Sequence, residues 1–270
     1  MSTPKPAAGS SSAHTPLANP SATTNLKPSW LDSYPWATFV VPFAVFMLVT
    51  SLEPTPDKPF ELLGLSIPYS AYPLVYGAKI VLTMVAMAAV WRGYRQFAFR
   101  VSPLALVVGV VGVALWIGIC KLDLENRLLG PLGLGSLIDL GKRSAFNPLE
   151  AWHDKPLAAY GFLALRFWGL AVIVPVIEEF FLRGLVMRFF IQPDWWKVPF
   201  GTLTPTAILL GTLLPVLQHP AEMFAAAVWF TLVTWLMFKT KNIWDCVAAH
   251  AVTNLLLGIY VVVSGDWYFL

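Results

Sequence analysis

Two adjacent carboxylates, Glu178 and Glu179, followed by Arg183, lie inside the apolar run VPVIEEFFLRGLVMR at residues 174–188. An ionised group at the centre of a membrane helix costs roughly 2.5–3.5 kcal/mol even on lenient insertion scales, so such groups line cavities or pair with one another. On a helix, Glu179 and Arg183 stand at i and i+4 on one face and can pair, whereas Glu178 points about 100° away. Glu178 is then read as the unpaired acid. Desolvation raises the pKa of such a carboxyl, as a general base working near neutrality requires. An interhelical salt-bridge knot without chemistry is the plain alternative.

Two later apolar segments each carry a histidine. His219 is followed at once by Pro220, and proline disfavours helix in the residue before it, so the chain is expected to break there and free backbone groups around the imidazole. His250 and Asn254 stand at i and i+4 on one face of IWDCVAAHAVTNLLL, with Cys246 a turn earlier. Such a row can serve as polar glue between helices. Together with the Glu pair it fits water-dependent hydrolysis, in which a carboxylate and an imidazole deprotonate water while donors receive the oxyanion. Glu178 and His219 would activate the water, and His250 and Asn254 would hold the oxyanion. Zinc bound by Glu178, His219 and His250 is a variant of this reading; HExxH is absent, and no cofactor is expected.

The elements that must hold these residues are membrane helices. The chain has 270 residues, 57% hydrophobic and 12% charged, too apolar for one soluble domain. The fold class expected is all-α: a polytopic bundle of 6–8 transmembrane helices around a polar intramembrane cavity. Apolar runs lie near 36–52, 70–91, 103–120, 157–190, 203–219, 221–238 and 244–263. The fourth is too long for one span, and for His219 and His250 to meet at one depth either the 193–205 linker is expected to dip into the membrane or the fourth and fifth segments to be broken and tilted. Residues 1–33 are read as a disordered tail rich in Ser, Thr, Ala and Pro, and 34–270 as the transmembrane domain. The mixed-charge loop near 121–156 has room for a short interfacial helix. Many of the 12 Trp mark segment ends, as in an interfacial belt. Cys120 and Cys246 form no CxxC and imply no disulfide framework.

Lys79 and Arg166 also fall within apolar runs; each can snorkel, pair with an acid on another helix or line the cavity. Arg166 lies about 18 Å along a continuous helix from Glu178 and cannot be its intrahelical partner. The net charge of +3 is scattered over short loops, which argues against nucleic acid as a partner. Arg92, Arg95 and Arg100 in one loop, and Lys239 and Lys241 in another, place the N-terminus in the cytoplasm under the positive-inside rule.

In order and spacing, EExxxR, a lone His at a helix end and HxxxN resemble the CAAX protease and bacteriocin-processing family of intramembrane proteases, which includes the type II CAAX prenyl endopeptidases and many bacterial proteins once called abortive-infection proteins. The resemblance covers about 157–263. It implies an eight-helix bundle with a conical cavity, Glu178 as the base acting with His219 on water, His250 and Asn254 as the oxyanion site, and a glutamate mechanism. The family often has Phe four residues before this His, where Pro215 stands here. The HPAE wording also looks like a bacterial branch related to CAAX prenyl proteases, some members of which accompany exosortase systems. The expected partners are membrane lipid and a peptide or protein substrate, lipid-modified or membrane-embedded, in a bacterial inner membrane. Two other classes compete: a transporter or proton relay that uses buried Glu and His, and an inactive scaffold. The concentration of polar groups in the C-terminal half argues against the relay.

Overall fold

The computed structural model describes residues 30–56, 59–62, 64–139 and 145–269. Most of the expected tail lies outside the described residues, and its last four, Trp30–Ser33, form a short helix with Leu31 buried. Seven longer helices follow among the described residues: α1 (Ala37–Thr50), α2 (Tyr72–Ala89), α3 (Pro103–Cys120), α4 (the 34-residue run Pro156–Phe189), α5 (Pro205–Gln218), α6 (Met223–Thr240) and α7 (Ile243–Ser264). Five are long and apolar enough to cross a membrane, while α1 and α5 have 14 residues each, about 21 Å. The protein is a polytopic membrane helix bundle. A small antiparallel hairpin, β1 (Phe60–Leu62) and β2 (Leu65–Ile67), lies between α1 and α2.

Local sequence sets the helix ends. Ser102, Thr204 and Asn242 cap α3, α5 and α7 by accepting from Ala105, Ala207 and Trp244 N–H, and proline occupies the first turn of α3, α4 and α5. Gly265, at φ 79°, ends α7 in the left-handed conformation that glycine adopts without penalty. The break expected at His219 is present: α5 stops at Gln218.

Lipid-facing and protein-facing sides are both apolar, so what distinguishes them is side-chain size. On α3, Leu106, Val107, Val110 and Val111 are exposed, while Ala105, Val108, Gly109, Gly112 and Trp116 are buried at helical spacing. A Cβ at Gly109 would strike Val252 of α7, and one at Gly112 would strike the Trp229 ring of α6. Without these side chains the three helices approach closely, which is how membrane helices associate when burial of apolar surface gives no net drive. Thr253 Oγ1 closes the contact by donating to Gly109 O at 2.8 Å.

Two expectations need correction. The fourth segment is not broken: α4 is one helical run of about 51 Å that keeps its course through two π-helical stretches, Gly169–Ile173 and Phe180–Val186. Cys246 is not interhelical glue, because its thiol is 3.7 Å from Asn242 O at the start of its own helix. The loop after α3 folds into three short helices, Leu124–Leu129, Gly135–Asp139 and Pro148–Ala151.

Candidate active site

The geometry of the site begins with Pro175. In the π-stretch Gly169–Ile173 each carbonyl seeks the N–H five residues on, and for Leu170 that residue is Pro175, which has none. The orphaned carbonyl is taken by α7: Asn254 Nδ2 donates to Leu170 O at 2.9 Å. The π-turn also sets the phase of the helix. Twelve α-helical steps would leave Arg166 and Glu178 about 120° apart, but the turn absorbs one extra residue, and eleven effective steps bring them within about 20°. Both side chains therefore line the same cavity. Asn254→Leu is expected to leave the Leu170 carbonyl buried without a donor and to lower unfolding stability in detergent by about 1–3 kcal/mol. Unchanged denaturant midpoints would show that the amide is not bonded there.

Glu179 and Arg183 are fully buried and paired, Arg183 Nη1 donating to Glu179 Oε2. The guanidinium also donates through Nη2 to Phe230 O at 3.2 Å. The second Glu179 oxygen, Oε1, lies 2.9 Å from His250 Nδ1. With Glu179 accepting on both oxygens, Nδ1 is the donor of that bond, and the His250 nitrogen left to accept is Nε2. That atom is 4.0 Å from Glu178 Oε2. The two acids thus flank one imidazole, which sequence spacing could not show because His250 lies on another helix. As expected, the two acids differ in surroundings, Glu179 being sealed and Glu178 lining the cavity.

His219 is held differently. Its backbone N–H bonds Val216 O, leaving the Pro215 carbonyl at the end of α5 to be capped by the side chain, whose Nδ1 donates at 2.8 Å. The ring packs 5.6 Å from Trp116 and 5.9 Å from Phe230, and Phe230 lies 6.2 Å from His250. Phe230 is thus a ring neighbour of both histidines. Among the described residues, no three His, Cys, Asp or Glu side chains group as a metal ion requires.

Glu178, His219, His250 and Asn254 nevertheless line one cavity of about 430 Å³. Sequence reasoning left open which role Lys79 and Arg166 play. Both are buried and line this cavity, Lys79 bridging to Glu53 at 2.6 Å and Arg166 Nη1 donating to Phe146 O at 2.7 Å. Sequence reasoning missed Glu53, Trp116, Tyr72, Tyr76 and Glu222 in the cavity wall. A glutamate at the end of the first apolar run, opposite a lysine within the second, was the available signal for Glu53.

A cavity lined by a carboxylate, two imidazoles and an amide thus lies within a polytopic membrane helix bundle. Residues 160–256 match the family described as type II CAAX prenyl endopeptidase Rce1-like, in agreement with the resemblance carried by the three motifs. Neither the curated proteins nor the solved structures give a significant match.

Proposed function

We propose that the protein is an intramembrane endopeptidase that hydrolyses peptide bonds with a water held by Glu178 and His250, without a metal. The observation that carries this is the 4.0 Å gap between Glu178 Oε2 and His250 Nε2, which one water can bridge, with the other face of the imidazole fixed by Glu179. Glu178 takes a proton as the water oxygen adds to the substrate carbonyl carbon. The Asn254 amide, which keeps a second N–H beyond its bond to Leu170, donates to the oxyanion. The proton then passes to the leaving nitrogen, the C–N bond breaks, and a carboxylate and an amine leave. In this reading His250 acts on the water instead of taking the oxyanion role implied by resemblance, and His219 serves as an acceptor in the cavity wall. His250→Ala is accordingly expected to cost more turnover than His219→Ala in proteoliposomes; the reverse order would restore the pairing of Glu178 with His219.

A proton relay gains one observation, the Glu53–Lys79 bridge contributed by the first half of the chain. It requires proton flux across liposomes that Glu178→Gln abolishes, whereas the hydrolytic reading requires none.

The proposed setting is a bacterial inner membrane with the N-terminus in the cytoplasm. The cavity is lined by Glu53, Pro54 and Thr55 after α1 and by Gln218 and His219 at the end of α5, at the ends of the helices away from the basic α2–α3 and α6–α7 loops. Its mouth then faces away from the cytoplasm. In a variant with Cys120 and Cys246 replaced by Ser, a Gln218→Cys thiol is expected to react with a membrane-impermeant maleimide in right-side-out vesicles, and a Gln96→Cys thiol only after permeabilisation. The opposite pattern would invert the orientation.

A further inference from the structure

We propose that the Trp116 indole N–H binds a main-chain carbonyl of the substrate a short way from the cleaved bond and so holds the peptide extended along the α3 wall of the cavity; this rests on the hydrolytic reading of the cavity. Three buried side-chain donors have no acceptor among the described residues: Tyr94 Oη, Trp116 Nε1 and Arg183 Nε. Of these residues Trp116 is the one that lines the cavity. It is 6% exposed, and its ring meets that of His219 edge to face at 5.6 Å.

Other donors of the wall find acceptors within the protein. Asn254 Nδ2 donates to Leu170 O at 2.9 Å, Tyr76 Oη to Arg166 O at 3.3 Å and Thr253 Oγ1 to Gly109 O at 2.8 Å, while Lys79 meets Glu53 at 2.6 Å. A buried donor without an acceptor costs the desolvation of its group, so its presence in a cavity wall points to an acceptor on the ligand. An indole N–H donates and cannot accept, which suits it to a carbonyl oxygen and not to a peptide N–H. Within a bilayer, a peptide opened for hydrolysis gives up the helical partners of its carbonyls, and each of those oxygens then needs a donor from the protein.

Height along the bundle decides which carbonyl. Helices α3 and α7 run side by side in the same direction: Asp245 Oδ1 accepts from Ser102 N–H at 2.7 Å where they begin, and Thr253 Oγ1 meets Gly109 O at 2.8 Å further on. Trp116 is seven residues beyond Gly109 and Asn254 one beyond Thr253, so Trp116 stands about 9 Å nearer the cavity mouth than Asn254, the donor assigned to the oxyanion. An extended peptide covers at most about 3.3–3.6 Å per residue, so that step spans about two or three residues. Every peptide carries a carbonyl there. A donor at this height therefore selects an extended main chain and no particular side chain.

The test couples a change in the protein to a change in the peptide. The full chain in proteoliposomes is given the peptide Ala-Val-Ile-Leu-Ala-Val-Ile-Leu, the cut is located by mass spectrometry, and thioamides, whose sulfur is a weak acceptor, replace its peptide bonds one at a time. A thioamide about two or three residues from the cut is expected to raise KM about tenfold. Trp116→Phe removes the N–H with part of the ring, and Trp116→benzothienylalanine puts sulfur in place of the N–H and keeps both rings. Each variant is expected to raise KM for the all-oxygen peptide about tenfold at unchanged kcat and to lose nothing more to that thioamide. The benzothienylalanine variant should unfold in detergent at no lower temperature than the parent, because it deletes a buried donor that had no acceptor. Parental KM in both variants, or a thioamide loss that persists in them, overturns the assignment. Binding of the same peptides to the Glu178→Gln chain in nanodiscs, read by calorimetry, separates this proposal from the hydrolytic reading. Cleavage and binding indifferent to the Trp116 variants sink the proposal alone; thioamide-sensitive binding that they abolish, without any cleavage by the parent, sinks the hydrolytic reading alone.

Discussion

Glu178→Gln is expected to lower peptide hydrolysis by about 10²–10⁴-fold while leaving the unfolding transition of the protein in place. The amide keeps the size of the side chain, so cavity shape and packing persist. What is lost is an oxygen basic enough to take a proton from water. The wall position of Glu178, against the sealed position of Glu179, is why stability should be indifferent to the change. Turnover measured by mass spectrometry in proteoliposomes and thermal unfolding in detergent check the two halves. A variant that retains turnover would remove Glu178 from the chemistry, and one that unfolds would overturn the expected indifference of stability.

The largest effect on stability is expected at Arg183. Arg183→Met would leave the Glu179 carboxylate fully buried without its cation and the Phe230 carbonyl without its donor, a loss of about 3–5 kcal/mol. Because the penalty lies in the stranded charge, Glu179→Gln combined with Arg183→Met should recover much of it. A double-mutant cycle on unfolding free energies reads the coupling. Equal stability of Arg183→Met and the parent would mean that the pair is not sealed from solvent. His250 should also lose orientation in the Glu179→Gln, Arg183→Met double variant, lowering turnover although the stranded charge is gone.

The sequence made the helices legible because membrane spans are long apolar runs, and the seven expected segments correspond to α1–α7. The i and i+4 relation of Glu179 and Arg183 could be read from one helix, and the structure pairs them. The end of α5 was readable from Pro220. Relations between helices were not readable. The sharing of His250 by both glutamates depends on the packing of α7 against α4, and the capture of Leu170 O by Asn254 depends on a π-turn that a regular 3.6-residue reading does not contain. The same turn explains why a 34-residue segment with polar groups at several levels stays whole: it rephases the helix instead of breaking it. Lys79 could be noticed as a charge in an apolar run, but its partner Glu53, 26 positions away, is brought to it only by the antiparallel packing of α1 on α2.

The most direct measurement is cleavage of an apolar peptide library by the purified chain in proteoliposomes, with and without a zinc chelator, beside Glu178→Gln. The account expects turnover that resists the chelator and disappears in the variant. Turnover that persists without the Glu178 carboxylate, or that stops with the chelator and returns with added zinc, would contradict a glutamate-held water as the source of the chemistry.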